Sequence, residues 1–509
     1  MMVTFAPAFS HTLPQGADYV RILPEIVLSV FGMIVMVLEP LLDETTGQKI
    51  LGLIALVGTL AGIGATWFMA QSPGLAFWNM VQVDGFSVFF HILVIAIAAV
   101  VILSSYEYMA VQRIRAGEYY ALILFGVVGM ALMSSAIELV LIFIALEISS
   151  ISTYVLAGFR RHEAASAESS LKYFLLGSFA TAFFLYGVAL MFGATGSTNV
   201  DQINRTLQAG PIPLLAFGAV GFMFVGLGFK VAAAPFHIWT PDVYEGAPAP
   251  IVGLMSTAPK AAAFAVLLRI VFVVNMPGKP WLIWVSAALS MTLGNVGALV
   301  QNNVKRLLAY SSIAHAGYLL VAFAAAPGLG TSSVMFYSAA YAAMNLGAFA
   351  VVSHFANAGE RYVTLEDYEG LGRSSPLLAA TLTIFLLSLI GIPMTGGFFA
   401  KFYVFSAAVK ANLIWLTIIG VVNSGVGAYY YLRIIVMMYM RESPKEVPVT
   451  PVPFPLGLAL GTCLAATLYL GIFPSRVLQY AQGAAEQLVQ EAPADIPRSA
   501  HVPAVPATL

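Results

Sequence analysis

The chain has 509 residues, of which 60% are hydrophobic and only 9% charged, whereas about 25% of residues are charged in a typical soluble domain. It has too little polar surface to cover a water-soluble globule, so we expect an integral membrane protein. The net charge of −1 argues against nucleic acid as a partner. The one cysteine, Cys463, closes no internal disulfide and holds no iron–sulfur cluster or zinc ion alone. The sequence has no P-loop, and "GLGFKV" (226–231) lacks the third glycine of a dinucleotide fingerprint, so no redox cofactor is expected in this chain.

A bilayer core requires about 20 apolar residues per helix, and the sequence contains about fourteen such stretches. In chain order the predicted helices lie at 24–41, 51–70, 84–104, 119–136, 138–157, 172–194, 212–234, 249–271, 281–301, 306–325, 333–355, 376–408, 412–437 and 455–474. The stretch around 119–157 is nearly continuous, and we divide it at "SSAIE". The residues before 24 do not resemble a cleavable signal. The tail after Ser475, rich in proline and alanine, is expected to be peripheral or disordered.

Basic residues predict the orientation of these helices, because cytoplasmic loops carry the excess of lysine and arginine. With the N-terminus outside, thirteen lysines and arginines fall at inward loops and helix ends, and seven fall at outward ones. The other three of the 23, Lys230, Lys260 and Lys401, fall inside predicted helices. This bias predicts that both termini lie on the outer side of the membrane.

The sequence contains a short internal repeat. "LEISSISTY" (146–154) resembles "LAYSSIAHA" (308–316), which shares Ser-Ser-Ile at an offset of 162 residues. The interrupted helix with Lys230 also has a counterpart in "GIPMTGGFFAKFYVF" (391–405), where Gly and Pro residues precede a lysine. Interrupted spans at corresponding places in two halves are typical of transporter sites built from discontinuous helices.

This repeat divides the chain into four parts. Each repeat has five helices, and an odd number of crossings inverts the second copy relative to the first. The predicted parts are helices one to three (1–118), the first five-helix repeat (119–271), the second five-helix repeat (281–437), and the last helix with the tail (438–509).

The stretch "GFKVAAAPFHIWTPDVYEGAPAP" (228–250) places a cation and a helix breaker inside an apolar span. Pro235 has no N–H, so the carbonyl of Val231 loses its helical donor, and free backbone at membrane depth is tolerated only against protein or water. The break therefore predicts a hydrated pocket in which the ammonium of Lys230 can gain or lose a proton. A lysine that snorkels from a short helix end is the alternative. His237, beyond the break, either continues a proton path or is a satisfied histidine of a packed turn.

Ionisable groups deep in a bilayer cost free energy and usually line an ion pathway. Those predicted at depth are Glu147, Lys230, Lys260 and Lys401, with His315 as a fifth group that titrates near neutrality. Small residues flank Lys260 and allow close helix packing, and serines and tyrosines surround His315 in "YSSIAHAGY". Glu147 as half of a static ion pair and His315 as a hydrogen-bonded core residue are the alternatives.

The remaining charged residues receive structural interpretations. Glu138 is predicted to be an interfacial carboxylate, and Lys305 with Arg306 an anchor on the inward side. Glu25, Glu39 and Asp84 are placed at membrane interfaces. Asp242 and Glu245 follow the broken helix, where they form either a proton entrance or a solvated loop.

Four segments, in this order and at these distances, resemble one family. They are "LIFIALEISSISTYVLAG", "GFKVAAAPFHIWTPDVYEGAP", "QNNVKRLLAYSSIAHAGY" and "GIPMTGGFFAKFYVF". Together they resemble the antiporter-like membrane subunits of proton-pumping NADH:quinone oxidoreductase (respiratory complex I), over about residues 20–475. The length, without a long lateral helix at the C-terminus, is more similar to the N type of subunit than to the L type. A lysine instead of a glutamate at 401 is more similar to N than to M.

The resemblance implies an all-α polytopic membrane protein of about 14 transmembrane helices with two inverted five-helix repeats, each containing a broken helix. It implies that Glu147 is the partner of Lys230, that Lys260 is the connecting lysine and that Lys401 is the outlet lysine. In the second repeat Ala309 occupies the position of Glu147, so the outlet lysine lacks a carboxylate partner of that kind.

The resemblance also implies a setting for the chain. Its partners would be the lipid bilayer and other membrane subunits of complex I, including homologous antiporter-like subunits, in a bacterial inner membrane. Flavin, iron–sulfur clusters and quinone would belong to partner subunits. A buried Glu/Lys/His relay that includes His315 and His237 would then move protons, driven by redox chemistry elsewhere. A subunit of a cation/proton antiporter without an electron-transfer arm, or a scaffold with frozen charges, are the alternatives.

Overall fold

A computed structural model describes residues 13–112, 116–273, 279–325, 327–356, 358–442 and 450–490. Its apolar runs form helices, because a helix satisfies its own backbone polar groups without water. The α-helices of the described residues are α1 (Gly16–Arg21), α2 (Leu23–Leu38), α3 (Glu44–Ala70), α4 (Gly85–Gln112), α5 (Gly117–Ser135), α6 (Leu139–Ala157), α7 (Ala164–Thr195), α8 (Val200–Gln208), α9 (Leu214–Val231), α10 (Thr240–Gly246), α11 (Ala249–Val273), α12 (Lys279–Leu299), α13 (Val304–Ala324), α14 (Leu329–Ala356), α15 (Leu371–Ser374), α16 (Pro376–Ile390), α17 (Gly396–Lys410), α18 (Ile414–Met440), α19 (Phe454–Ile472) and α20 (Pro474–Gln490). Two short strands, β1 (Gly74–Ala76) and β2 (Val81–Val83), pair in antiparallel fashion. The 3₁₀ helices are Glu39–Leu41, Ala358–Glu360 and Leu365–Tyr368.

The membrane crossings agree with the prediction. Among the described residues, 13 helices are long and apolar enough to cross a membrane. A further crossing consists of α16 and α17, which the break at 391–395 separates. The chain is therefore a multi-pass, all-α membrane protein with about 14 transmembrane helices. The nearly continuous stretch divides between Ser135 and Leu139 as predicted, whereas α7 begins earlier than predicted, at Ala164.

Two isolated backbone bridges show the inversion of the repeats. Glu138, just before α6, bridges to Asn199, and Asn303, just before α13, bridges to Thr364. The second bridge is the first displaced by 165 residues at both ends, from 138 to 303 and from 199 to 364. Five crossings separate α6 from α13, so the two bridges lie on opposite sides of the membrane. We call the side with β1 and β2 the hairpin side, and the side with Asn303 the opposite side.

Both predicted breaks are present, and each begins with a residue in the left-handed conformation directly after the helix ends. α9 ends at Val231 and is followed by Ala232 with φ 59°, and α16 ends at Ile390 and is followed by Gly391 with φ 94°. Pro235 lies beyond the end of α9. By contrast, α11 continues through an internal proline, Pro259. A proline alone therefore does not decide where these spans break.

Of the two expectations for the tail, disorder is wrong up to Gln490. Residues from Pro474 form α20, which packs against α4 and α14 and buries Ala481 and Ala485. A regularly spaced small-residue face allows this close packing. The predicted tail beyond 490 lies outside the described residues, as do four of the basic residues counted for orientation, Arg113, Arg115, Lys445 and Arg498.

Candidate functional site

Lys230 lies in the last turn of α9, directly before the first break. Its side chain is buried, and Nζ donates to Ser150 Oγ at 2.8 Å. Ser150 in turn donates to the carbonyl of Leu146 at 2.7 Å, so its hydroxyl has to accept from the lysine. The ammonium also lies near the C-terminal, negative end of the α9 dipole. Lys230 is thus held inside the chain, which does not fit the snorkelling alternative.

Glu147 lies one turn before Ser150 on α6 and is half-buried. It shares a stripe of that helix with the exposed Ile144 and Ile151, and its Oε1 is buried without a hydrogen-bond partner. Among the described residues Glu147 forms no ion pair with Lys230, so the implied direct partnership is not what the structure contains. The carboxylate remains within electrostatic range of the lysine, while the serine hydroxyl makes the contact. Because Glu147 forms no ion pair with Lys230, the alternative of a static ion pair between them does not fit the structure either.

Lys260 lies near the middle of α11. α11 is buried along its membrane-crossing part, and Lys260 is 3% exposed. Its Nζ donates to Ser312 Oγ at 2.6 Å and to the Ser312 carbonyl at 3.2 Å. The flanking alanines let α11 pack closely against its neighbours, as the sequence predicted.

A row of side chains on α13 joins Lys260 to the second repeat. Ser312, His315 and Tyr318 follow one another at intervals of three residues, so each neighbours the next on the helix surface, and the row turns by about 120° around the helix axis. We call these three residues the α13 seam. His315 Nδ1 lies 2.7 Å from the hydroxyl of Tyr337, and Nε2 lies 3.3 Å from that of Tyr431. The seam spans about 9 Å along the helix axis, from the partner of Lys260 to the ring that faces Lys401.

Lys401 projects from α17 back to the end of α16. Its Nζ donates to the carbonyls of Leu389 and Ile390 at 3.0 and 2.8 Å and to Ser424 Oγ at 2.8 Å. It also lies 5.0 Å from the centre of the Tyr318 ring, a cation–π distance. All three donors of an ammonium group are therefore satisfied. The acceptors among the described residues are two carbonyls and a hydroxyl.

Several buried polar atoms near these lysines have no partner within the protein. The hydroxyls of Tyr244 and Tyr341 both lie near the side chain of Ser312, but the geometry does not form a hydrogen bond, and Ser149 Oγ is likewise without one. Buried polar groups of this kind are normally held by ordered water. His237, at the first break, is half-buried, and its Nδ1 is likewise unpartnered. No hydrogen bond among the described residues joins His237 to a lysine.

On the opposite side, charged residues tie α10 to α7 and α13. Asp242 accepts from Lys172 at 2.8 Å and from Arg306 at 2.6 Å, and Arg306 also pairs with Glu245 at 2.8 Å. Burial by itself would raise the pKa of Asp242, but the hydrogen bonds from Lys172 and Arg306 hold that pKa below its usual value. Asp242 and Glu245 therefore belong to an ion-pair cluster and not to a freely solvated loop.

Glu360, which the sequence did not single out, joins three parts of the chain on the same side. It pairs with Lys305 at 2.5 Å and with Arg160 at 3.3 Å, and accepts from Tyr108 OH and from the Ala249 N–H that begins α11. Burial would raise the pKa of Glu360, but Lys305 and Arg160 outweigh it and hold the pKa low. Lys305, predicted as an anchor on the inward side, lies at the start of α13, where its side chain is only 1% exposed.

Other predicted interfacial charges are also engaged within the chain. The carboxylate of Glu138 caps α6 by accepting from the Leu141 N–H at 2.7 Å. Glu39 accepts from the Gly117 N–H at 3.2 Å. Asp84 forms a buried pair with Arg269, and Glu25 lies beside His91. The described residues contain no group of three or more His, Cys, Asp or Glu side chains that could hold a metal ion.

Residues 136–427, which include both broken helices, match the family described as NADH:quinone oxidoreductase/Mrp antiporter, transmembrane. The chain belongs to this family. It is 67% identical to NADH-quinone oxidoreductase subunit N 2 of Koribacter versatilis over 490 residues, which cover 95% of this chain and 99% of that relative. It is 37% identical to a chain of respiratory complex I from Thermus thermophilus, with a TM-score of 0.77 over 90% of this chain and 98% of the other. A chain of the Mrp complex from Dietzia sp. has a TM-score of 0.81 at 19% identity, over 93% and 98% of the two chains, and shares the fold alone.

Membership confirms the resemblance carried by the four sequence motifs. It also agrees with the fold, because the related chains are antiporter-like membrane subunits found within larger complexes.

Proposed function

We propose that the chain is the N-type membrane subunit of a proton-translocating NADH:quinone oxidoreductase and moves protons through a buried relay. The relay consists of Glu147, Lys230, Lys260, His315 and Lys401, with His237 at the first break. The observation that carries the proposal is the α13 seam, which connects the partner of one buried lysine to the ring that faces another. Family membership supplies the reaction in which such a relay takes part.

The lysines exchange protons because their charge states depend on their neighbours. A carboxylate near Lys230 favours the ammonium form, and neutralising or withdrawing Glu147 favours release of the proton. The proton passes through water held by Tyr244 and Tyr341 to Lys260. It then moves along the α13 seam to Lys401.

Partner subunits supply the driving force and the redox groups. Flavin, iron–sulfur clusters and quinone belong to those subunits, and this chain contributes the proton path. The half-buried Glu147 on an exposed apolar stripe supports direct contact with a neighbouring membrane subunit, because a carboxylate facing lipid at that depth is costly. A homologous antiporter-like subunit is the proposed neighbour.

The excess of basic residues supports an orientation in a bacterial inner membrane. The opposite side, with Lys172, Arg160, Lys305 and Arg306, faces the cytoplasm. The hairpin side faces outward, and both termini lie there. Protons therefore enter beside the Asp242 cluster and leave from Lys401 toward the hairpin side.

The test replaces Lys230 by alanine and measures NADH-driven proton uptake into inverted membrane vesicles. Loss of pumping with an assembled complex is expected, because the relay loses its first lysine. Lys410→Ala is the matched control, since Lys410 is exposed at the end of α17 and should leave pumping intact. Full pumping by an assembled Lys230→Ala complex would rule the relay out.

A subunit of a cation/proton antiporter is the second candidate function. It needs no electron-transfer arm, so gentle purification distinguishes the two. Flavin and iron–sulfur absorbance that co-purifies with the chain favours the oxidoreductase, and its absence from an intact complex favours the antiporter. The high identity over nearly the full length of a quinone oxidoreductase subunit favours the first.

A further inference from the structure

A buried carboxylate–histidine pair lies outside the relay, on the hairpin side. Glu25 is in the first turn of α2, and His91 is in the second turn of α4. The His91 side chain is fully buried and that of Glu25 is 8% exposed, with His91 Nε2 at 2.8 Å from Glu25 Oε1. Neither residue belongs to the lysine path described above.

The hydrogen bonds of His91 fix how many protons the pair holds. Nδ1 lies 2.7 Å from the carbonyl of Ser87, and a carbonyl only accepts, so Nδ1 carries a hydrogen. Ser134 Oγ, 3.0 Å from Nδ1, already donates to the carbonyl of Ala131 at 2.8 Å, so it accepts as well. A hydrogen bond between Nε2 and Oε1 then requires one more proton. That proton makes either a carboxylic acid beside a neutral imidazole or a carboxylate beside an imidazolium.

The neighbouring charged groups compensate each other, so the net charge of the Glu25–His91 pair depends on this one proton. Arg269 donates to the Ser134 carbonyl at 2.8 Å and to both Asp84 oxygens at 2.9 and 3.0 Å, so these two charges compensate each other. On the side of α20, Tyr480 OH donates to the Gly85 carbonyl at 3.2 Å. The second carboxylate oxygen of Glu25 is buried and has no partner in the protein. A buried, unpartnered acceptor is a place where water can deliver or remove a proton.

We propose that Glu25 and His91 form a second proton-binding site, which holds one proton and exchanges it with the aqueous phase on the hairpin side. The site adjoins Arg269 at the end of α11, nine residues or about 13 Å beyond Lys260. It is therefore placed to hold protons on the side of the membrane toward which they leave, at the end of the helix that carries Lys260. This exit role rests on the proposed function, whereas the binding of the proton does not.

Infrared difference spectroscopy of the purified complex tests the binding of the proton. Spectra are compared between about pH 5 and pH 8, the window in which a histidine titrates. E25Q keeps the hydrogen bond, because the Gln amide donates to Nε2, but it removes the shared proton. H91Q removes the same proton from the other side and carries the test if E25Q does not assemble. Both variants should lose the same Glu/His component of the wild-type spectrum.

The pair of Glu107 and His354 provides a matched control. It has a similar arrangement, with His354 Nδ1 at 2.9 Å from Glu107 and Nε2 at 3.0 Å from the Thr450 carbonyl, but lies on the opposite side with Glu107 27% exposed. E107Q should therefore retain the Glu25–His91 component. If E25Q and H91Q keep the wild-type difference spectrum, the site does not exist.

Pumping measured against the pH of the hairpin side tests the exit role. Wild-type pumping should depend on that pH, and E25Q should lose this dependence while E107Q keeps it. A lost spectral component with an unchanged pumping profile overturns the exit role alone. A lost component together with full pumping by Lys230→Ala leaves the site in place and refutes the relay instead.

Discussion

Ser150→Ala isolates the contact of Lys230. Ser150 Oγ is the hydrogen-bond acceptor of the ammonium at 2.8 Å, and alanine removes only that oxygen. A hydrogen bond to a charged group contributes about 1.5–3 kcal/mol. The ammonium form of Lys230 should therefore be disfavoured by about 10- to 150-fold, since 1.4 kcal/mol corresponds to a factor of about ten.

The assay is NADH-driven proton uptake into inverted vesicles, measured against pH. The variant should pump more slowly than the wild type near neutrality and recover toward lower pH, where a higher proton concentration restores the ammonium form. Ser152→Ala is the control, because Ser152 is on the same helix and donates to the Ile148 carbonyl at 2.9 Å without touching a lysine. If the two variants pump alike at every pH, the serine contact has no part in the relay.

Three further changes test other contacts. Glu360→Gln leaves Lys305 buried without a counter-charge, so it should lower the free energy of unfolding by about 3–5 kcal/mol in detergent titrations of the full chain. The control is Glu442→Gln, which breaks an exposed pair with Arg373 and should change the free energy of unfolding by under about 0.5 kcal/mol. Lys305 and Arg160 hold the pKa of Glu360 low in the folded protein. The stabilisation that the Glu360 carboxylate provides is therefore complete above its unfolded-state pKa of about 4.3 and is lost as pH falls through the lower folded-state pKa. Melting temperatures should fall with acid less steeply in Glu360→Gln than in the wild type. Tyr337→Phe removes the hydroxyl that is hydrogen-bonded to His315 Nδ1, and such a hydrogen bond contributes about 0.5–1.5 kcal/mol. This variant should slow pumping more than the control Tyr403→Phe does. Equal pumping rates in the two variants would contradict a role for His315.

The broken helices and the buried lysines could be predicted because their signals are local. An intramembrane lysine is conspicuous in an apolar run, and the Gly and Pro residues beside Lys230 and Lys401 mark the interruptions. The exact helix ends were less accessible, since Ala232 adopts a left-handed conformation that no rule for alanine predicts. α20 was missed because its small, spaced alanines resemble the composition of a disordered tail.

The contacts of the site could not be predicted, because they join residues far apart in the sequence. Lys230 meets a serine 80 residues away, and Lys260 meets one 52 residues away. Glu360 lies in a polar loop whose own sequence gives no sign of burial. His91 did carry a local signal, as a histidine within "FFHILV", but its partner Glu25 is 66 residues away and was assigned to an interface.

The two broken helices solve the same electrostatic problem by different means. Each places an ammonium near the C-terminal end of a half-helix, where backbone carbonyls carry partial negative charge. Lys230 lies in the last turn of α9 with a serine as its contact and Glu147 within range, so a full counter-charge can change its proton affinity. Lys401 instead donates directly to the last carbonyls of α16, whose charge is fixed. Under the proposed relay, a switchable neighbour suits the first lysine and a constant one suits the last, and Ala309 occupies the position of a second glutamate.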